Sequence, residues 1–428
     1  MSAFPFPRAY RRPACGAFAA LGLGLRLWAQ APVAVSSATA NTNWQFSAQL
    51  NQGWDSDPLL SLSNPRGDST TQLQLTLGKR WAGRNWSFDA SYTPEGMNYT
   101  SNPKLDYIAQ SYQQDWTVAL GPHTQFSWTA TAQRFPERSG GMSTGAGVAA
   151  LASTDQTMAL AMIASGGNTA IAFHHQSSLR STWNANLTYA QQWYSIDTAL
   201  AGSAAASFLP GITGSHTIGG GGGWSYQLAP QSAFSLTVTG NQLWYGAAAP
   251  PMQYANLQAS ISQGLGGGMV LKLGAGPSWN HYSRPPAGVP AGAQLPSLGY
   301  AASASLLAGD ATSGQYGITW DHAEQMGQVP GGVTTDSLAM QYAWQWGRNW
   351  SATTSIGENR FAGVAGSPGG QESVFASGQL SWRIASAWSL RANATYSGER
   401  LPVSSVALAN FRREQYSLGL QFQPGGAH

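Results

Sequence analysis

The sequence predicts an all-β protein, a transmembrane antiparallel up-and-down β-barrel of about 18 strands, with 16–20 compatible with the pattern. Three observations lead there. Apolar and polar residues alternate with period two in unit after unit, the mark of strands whose faces meet different surroundings. Charged residues make up only 9% of the 428, against roughly 25% in soluble globular proteins. Short turns and long loops take turns along the chain, as they do when one end of a barrel is tight and the other elaborate.

The clearest unit is residues 336–358. Leu338, Met340, Tyr342, Trp344 and Trp346 share one parity, and Ser337, Ala339, Gln341, Ala343 and Gln345 the other. Gly347-Arg348-Asn349 turns the chain, and Trp350, Ala352, Thr354 and Ile356 open a second strand. One face is apolar and aromatic, and the other is small and uncharged.

The N-terminus reads as an export signal. Arg8, Arg11 and Arg12 precede a short apolar stretch at 14–25, interrupted afterwards by Arg26, and Ala29-Gln30-Ala31 is a cleavage site of the A-x-A kind. The apolar run of about 12 residues is too short to span a bilayer as a helix. The expected division is a signal peptide at 1–31, a linker at 32–42, a barrel at 43–423 and a tail at 424–428. Cleavage removes four arginines and no acidic residue, leaving 17 Lys+Arg against 18 Asp+Glu. The formal +3 of the full chain therefore belongs to the signal and gives no reason to expect nucleic acid as a partner. Cys15, the single cysteine, leaves with it, so disulfides are not expected. It follows Arg12-Pro13-Ala14, ahead of the apolar run, which argues against a lipid anchor.

From there the units follow in order. A first strand at 43–53 places Trp44, Phe46, Ala48 and Leu50 on one face. Residues 71–92 form a hairpin turning at Ala82-Gly83-Arg84-Asn85, and the string Gly-Arg-Asn-Trp-Ser at 83–87 returns at 347–351. Further hairpins lie at 110–134, 168–194, 216–246, 253–281, 298–322, 336–358 and 373–397, with a last strand at 412–423. Eight hairpins and a strand at each end make 18, an even count that lets the terminal strands pair in opposite senses. Strands of about 10–12 residues suit a tilted crossing. Turns within hairpins are expected to hold about 3–5 residues, with long connections at 54–70, 135–167, 195–215, 282–297, 323–335, 359–372 and 398–411.

Trp86, Phe126, Trp183, Phe234, Trp350 and Trp388 follow the short turns, and Tyr92, Trp193, Trp244 and Tyr396 stand toward the loops. They are expected to form two girdles at the membrane interfaces, since amphipathic rings favour the headgroup level. On these features the sequence resembles the outer-membrane β-barrels of Gram-negative bacteria, of a porin-like kind, over 43–423, by architecture and without a diagnostic family signature. Such barrels commonly end on an aromatic residue, a role that Phe422 resembles, although Gln423 to His428 follow it. The resemblance implies outer-membrane lipid and the barrel-assembly machinery as partners.

The inward parity is mainly Ser, Thr, Gln, Asn, Ala and Gly, and its candidate pore-lining charges are Arg80, Asp89, Asp115, Lys272, Arg383 and Arg391. A ring of such charge would confer ion selectivity, whereas scattered charges would be solvated individually. The third long loop, 135–167, carries a Gly-, Ala- and Met-rich stretch at 140–162 that fits either inside a lumen or above the membrane.

No enzyme is expected. His174 and His175 are adjacent and so point to opposite faces of a strand. Asp321, His322 and Glu324 cluster without a nucleophile at a telling spacing, and the glycines at 219–223 lack the Lys-Ser/Thr ending of a phosphate loop. No metal or cofactor is expected. The reading is a passive or weakly selective channel for small polar, mostly uncharged solutes. The alternatives are a barrel within an export system, for instance for polysaccharide, and a structural or adhesive surface barrel. Only about ten residues separate the cleavage site from the first strand, so no plug domain is expected.

Overall fold

The computed structural model describes residues 43–56, 66–136, 162–196, 214–245, 251–282, 298–310, 314–325, 333–363, 371–400 and 411–424. Residues 1–42, where the sequence leads one to expect a signal peptide and a linker, the last four residues and nearly all of 140–162 lie outside these.

Eighteen strands follow one another: β1 (Asn43–Asp55), β2 (Asp68–Ala82), β3 (Trp86–Tyr99), β4 (Tyr107–Gly121), β5 (Thr124–Pro136), β6 (Met162–Ser178), β7 (Ser181–Ile196), β8 (Ser215–Ala229), β9 (Ser232–Tyr245), β10 (Met252–Gly266), β11 (Met269–Tyr282), β12 (Leu298–Asp310), β13 (Gly314–Gln325), β14 (Val333–Trp346), β15 (Trp350–Gly363), β16 (Gln371–Arg383), β17 (Trp388–Arg400) and β18 (Phe411–Phe422). Each pairs antiparallel with the next, and β1 pairs antiparallel with β18 through the register Ala48↔Phe422 to Asp55↔Gln415. The sheet is a closed up-and-down barrel of 18 strands. Closure satisfies every strand edge internally, which a lipid environment requires.

The strands run from 12 to 17 residues, longer than the sequence pattern indicates, and the hairpin turns are correspondingly tighter. Apolar alternation ends where the bilayer would end, but the hydrogen-bonded ladder continues into polar residues beyond it. Between β4 and β5 only Pro122 and His123 remain as the turn, with a register shift between Ala119 and Gly121 that absorbs the tight reversal.

Two other local features were not evident from pattern alone. The connection from β3 to β4 is brief and ordered by a 3-10 turn, Pro103–Leu105. The Asp68 carboxylate accepts the Ser101 N–H at 2.9 Å and the Asn102 amide at 2.9 Å, while Asp106 accepts the Tyr99 N–H at 2.7 Å. Leu105 is buried beneath it. In β8, the glycines at 219–223 leave room for neighbouring side chains. A Cβ on Gly223 would stand 2.6 Å from the Asn184 side-chain oxygen of β7, and one on Gly219 would overlap Asn241 of β9. Neighbouring asparagines therefore lie across the bare strand.

Candidate pore and lipid-facing band

Parity divides every strand between an apolar and a polar surface. On β14 the residues Leu338, Met340, Tyr342 and Trp346 are exposed, although all are large and apolar. Similar exposed rows are Trp350 and Ile356 on β15, Val374, Leu380 and Trp382 on β16, and Tyr416, Leu418 and Leu420 on β18. Exposed apolar surface on this scale, encircling a barrel, needs a nonaqueous surrounding. The band has a definite upper limit. At the long-loop ends of β13 to β16 and β18, outward positions become charged. Arg360 meets Glu358 at 2.7 Å and Glu372 at 3.5 Å, Arg412 meets Glu414 at 3.0 Å, and His322 meets Asp336 at 2.7 Å. Five outward positions of β14, 338 to 346, lie between that charged rim and the turn. At about 3.4 Å per residue, with the usual tilt, they cover roughly the apolar height of an outer-membrane barrel.

Of the aromatics expected just after the short turns, five make ring contacts there. Trp350 stacks on Trp382 at 5.2 Å, Trp388 lies 4.7 Å from Phe422, and Phe422 also meets Phe46. Phe126 meets Trp116 at 5.9 Å, and Trp224 bridges Trp183 and Phe234, each at 6.2 Å. Trp86 is exposed on the same side, and Lys79 lies over Trp44 and Trp81. Between Phe234 and Tyr316, this end carries Leu265, Leu271 and Leu306 instead, while Trp279, Tyr300 and Trp320 stand toward the loops of β11 to β13. Tyr92 sits midway along β3 rather than at its loop end.

The opposite parity faces the lumen and is tied laterally by uncharged side chains. Ser235 and Ser260 hydroxyls lie 2.6 Å apart, Ser355 and Ser377 2.7 Å, and the Gln258 amide donates to Ser303 at 2.9 Å. Such bonds hold the lining flat against the wall, and the face offers donors and acceptors without net charge.

All six charged residues singled out from sequence lie on this parity, in three groups rather than one ring. Arg80, Asp89 and Asp115 occupy one row across β2, β3 and β4 by register, with Arg80 Nε 3.7 Å from Asp89 and the Gln113 amide donating to Asp115 at 2.7 Å. Lys272 on β11 interacts electrostatically with Asp321 on β13, across Ser303 and Ser305 of β12. Arg383 and Arg391 lie on β16 and β17, where Arg348 of the β14–β15 turn joins them around one cavity.

The cluster of Asp321, His322 and Glu324 is dispersed by the strand. Asp321 faces the lumen, and His322 faces outward, stacked on Tyr300 at 4.3 Å. His174 and His175 likewise part, with His175 Nδ1 2.9 Å from the Thr124 hydroxyl on the outer face. Among the described residues, no three His, Cys, Asp or Glu side chains gather as metal ligands.

Sequence reasoning missed the ion pair at the seam. Arg413 of β18 and Asp55 of β1, only 2% and 1% exposed, meet through the guanidinium at 2.5 Å and 3.0 Å, and the Gln415 amide donates to the same carboxylate at 3.0 Å. Asp55 lies just past the last clear alternation of β1, and only the closing register reveals its partner.

A closed antiparallel barrel with an apolar outer band, a charged rim and a polar interior defines a porin-like outer-membrane β-barrel. No protein-family model matches the chain, and no curated protein matches it. Among solved structures it is similar to the siderophore receptor PirA of Pseudomonas aeruginosa, at 9% identity and a TM-score of 0.44, over 90% of this chain and 81% of that one. It is also similar to the FrpB iron transporter of Neisseria meningitidis, at 9% identity and a TM-score of 0.45, over 89% and 82%. A third similar structure is OpdL of Pseudomonas aeruginosa, at 12% identity and a TM-score of 0.41, over 90% and 99%.

Proposed function

We propose that the protein is a passive or weakly selective outer-membrane channel for small polar, mostly uncharged solutes. The observation that carries this is the inward parity of a closed 18-strand wall, lined by Ser, Thr, Gln and Asn and tied side to side by hydrogen bonds. Barrels of this strand count are wide enough to enclose water. A lining of neutral donors and acceptors exchanges with the hydration shell of a polar solute at little cost, whereas a charged ring would hold or repel ions. The three charged groups are separated around the circumference and leave most of the wall neutral.

In the same reading, residues 1–31 are a cleaved export signal, the assembly machinery inserts the barrel, and the protein has no catalytic role. Conductance of the refolded full-length barrel in planar bilayers tests the proposal, paired with liposome swelling in a neutral hexose. Stepwise currents and swelling are expected. A barrel shown to be inserted by protease protection, yet passing neither ions nor hexose, would overturn it.

A further inference from the structure

At the short-turn end of the lumen, between β14 and β18, the wall encloses a cavity of about 290 Å³. Three arginines, Arg348, Arg383 and Arg391, line it together with Ser381, Ser389 and Gln421. Among the described residues, no acidic side chain lines this cavity. The acidic groups facing the lumen toward this end, Asp89 and Asp115, lie on β3 and β4, and Asp89 is already opposite Arg80.

The frame around the arginines is fixed by the backbone. The Arg383 N–H donates to the Asn349 carbonyl at 2.7 Å, binding the first turn to β16, and the Gln423 N–H donates to the Ala387 carbonyl at 2.8 Å, binding the second turn to the end of the chain. Within this frame the Arg391 Nε is buried and meets no hydrogen-bond acceptor. A buried guanidinium N–H without an acceptor is costly, and it is tolerated where another group completes it.

We propose that this cavity is a binding site for a compact oxyanion, a carboxylate or phosphate group borne by a small polar solute. Guanidinium groups donate paired N–H bonds in a planar fork that matches either anion. Three of them without a carboxylate partner create a positive potential across the cavity. Serine and glutamine beside them offer donors and acceptors for the uncharged remainder of the solute. The site stands on its own geometry, whereas its part in selecting solutes rests on the channel reading above.

Titration calorimetry of the full barrel in detergent separates the two, because it reads binding without requiring conduction. Inorganic phosphate and gluconate are titrated separately at constant ionic strength in chloride, against the wild type, the double variant R383Q/R391Q and the control R180Q, which changes a different short turn. Saturable binding of phosphate, gluconate or both to wild type and R180Q is expected, weakened at least tenfold in R383Q/R391Q. Binding of one anion alone identifies the group that the site takes. Retention of the β-sheet circular dichroism spectrum and of heat-modifiable gel migration establishes that the double variant is folded. Absence of saturable binding to wild type, or equal binding by the folded double variant, overturns the proposal.

Discussion

At the scale of single residues, the Asp55–Arg413 pair is the most deeply buried ion pair among the described residues. It joins residues 358 apart in sequence and is shielded from water, so removing one partner leaves the other charge buried and uncompensated. Asp55→Asn or Arg413→Gln is expected to lower stability by about 3–5 kcal/mol, read as the shift in urea unfolding in detergent micelles. The double variant should lose less than the sum of the two, since neither orphaned charge remains. Two turn glycines invite a graded comparison. Gly309 has φ +96° and a Cβ there would overlap the Gly314 carbonyl oxygen, whereas Gly347 has φ +63° and open space around it. Gly347→Ala should cost about 1 kcal/mol from backbone strain alone, and Gly309→Ala clearly more, in the same unfolding measurement.

At the scale of one element, the β14–β15 hairpin shows what a strand can disclose by itself. Its two faces were legible because Leu338 to Trp346 alternate without a break, and the observed register, from Val333↔Gly363 to Trp346↔Trp350, keeps them on separate surfaces. The apolar face was assigned to lipid from the scarcity of charge, but the height at which the band stops needed the charged rim at Asp336, Glu358 and Arg360, residues whose sequence positions alone suggest only the approach to a loop. Met340→Arg, on the outer band, should destabilise the inserted barrel by about 2–4 kcal/mol, while Gln341→Arg, one residue on and facing the lumen, should change stability far less. Folding yield into liposomes, scored by the heat-modifiable band on gels, distinguishes them. Equal loss for both would mean that the faces have been assigned wrongly. Strand ends were less legible, because hydrogen bonding along the ladder continues after the apolar pattern stops.

At the scale of the whole molecule, the strand count and the closure followed from repetition, since nineteen strands would bring the chain ends together in the wrong sense. The charged lumen residues were individually legible from parity, but their grouping was not. Arg383 and Arg391 become neighbours of Arg348 only through the pairing of β14 to β17, and periodicity carries no information about that convergence. If the channel reading holds, replacing Arg383 and Arg391 by Gln should leave a conducting barrel whose reversal potential in a potassium chloride gradient moves toward cation preference. The seam has a different consequence, in quality control. The partner that β1 needs, Phe411–Phe422, is the last described strand in chain order, so a chain lacking that strand alone cannot close in the antiparallel sense: β17 would meet β1 parallel, without the ladders that β18 makes with both. Antiparallel sealing through this ladder thus reports that β18 is present, and a chain without it keeps unpaired strand edges that mark it as unfinished.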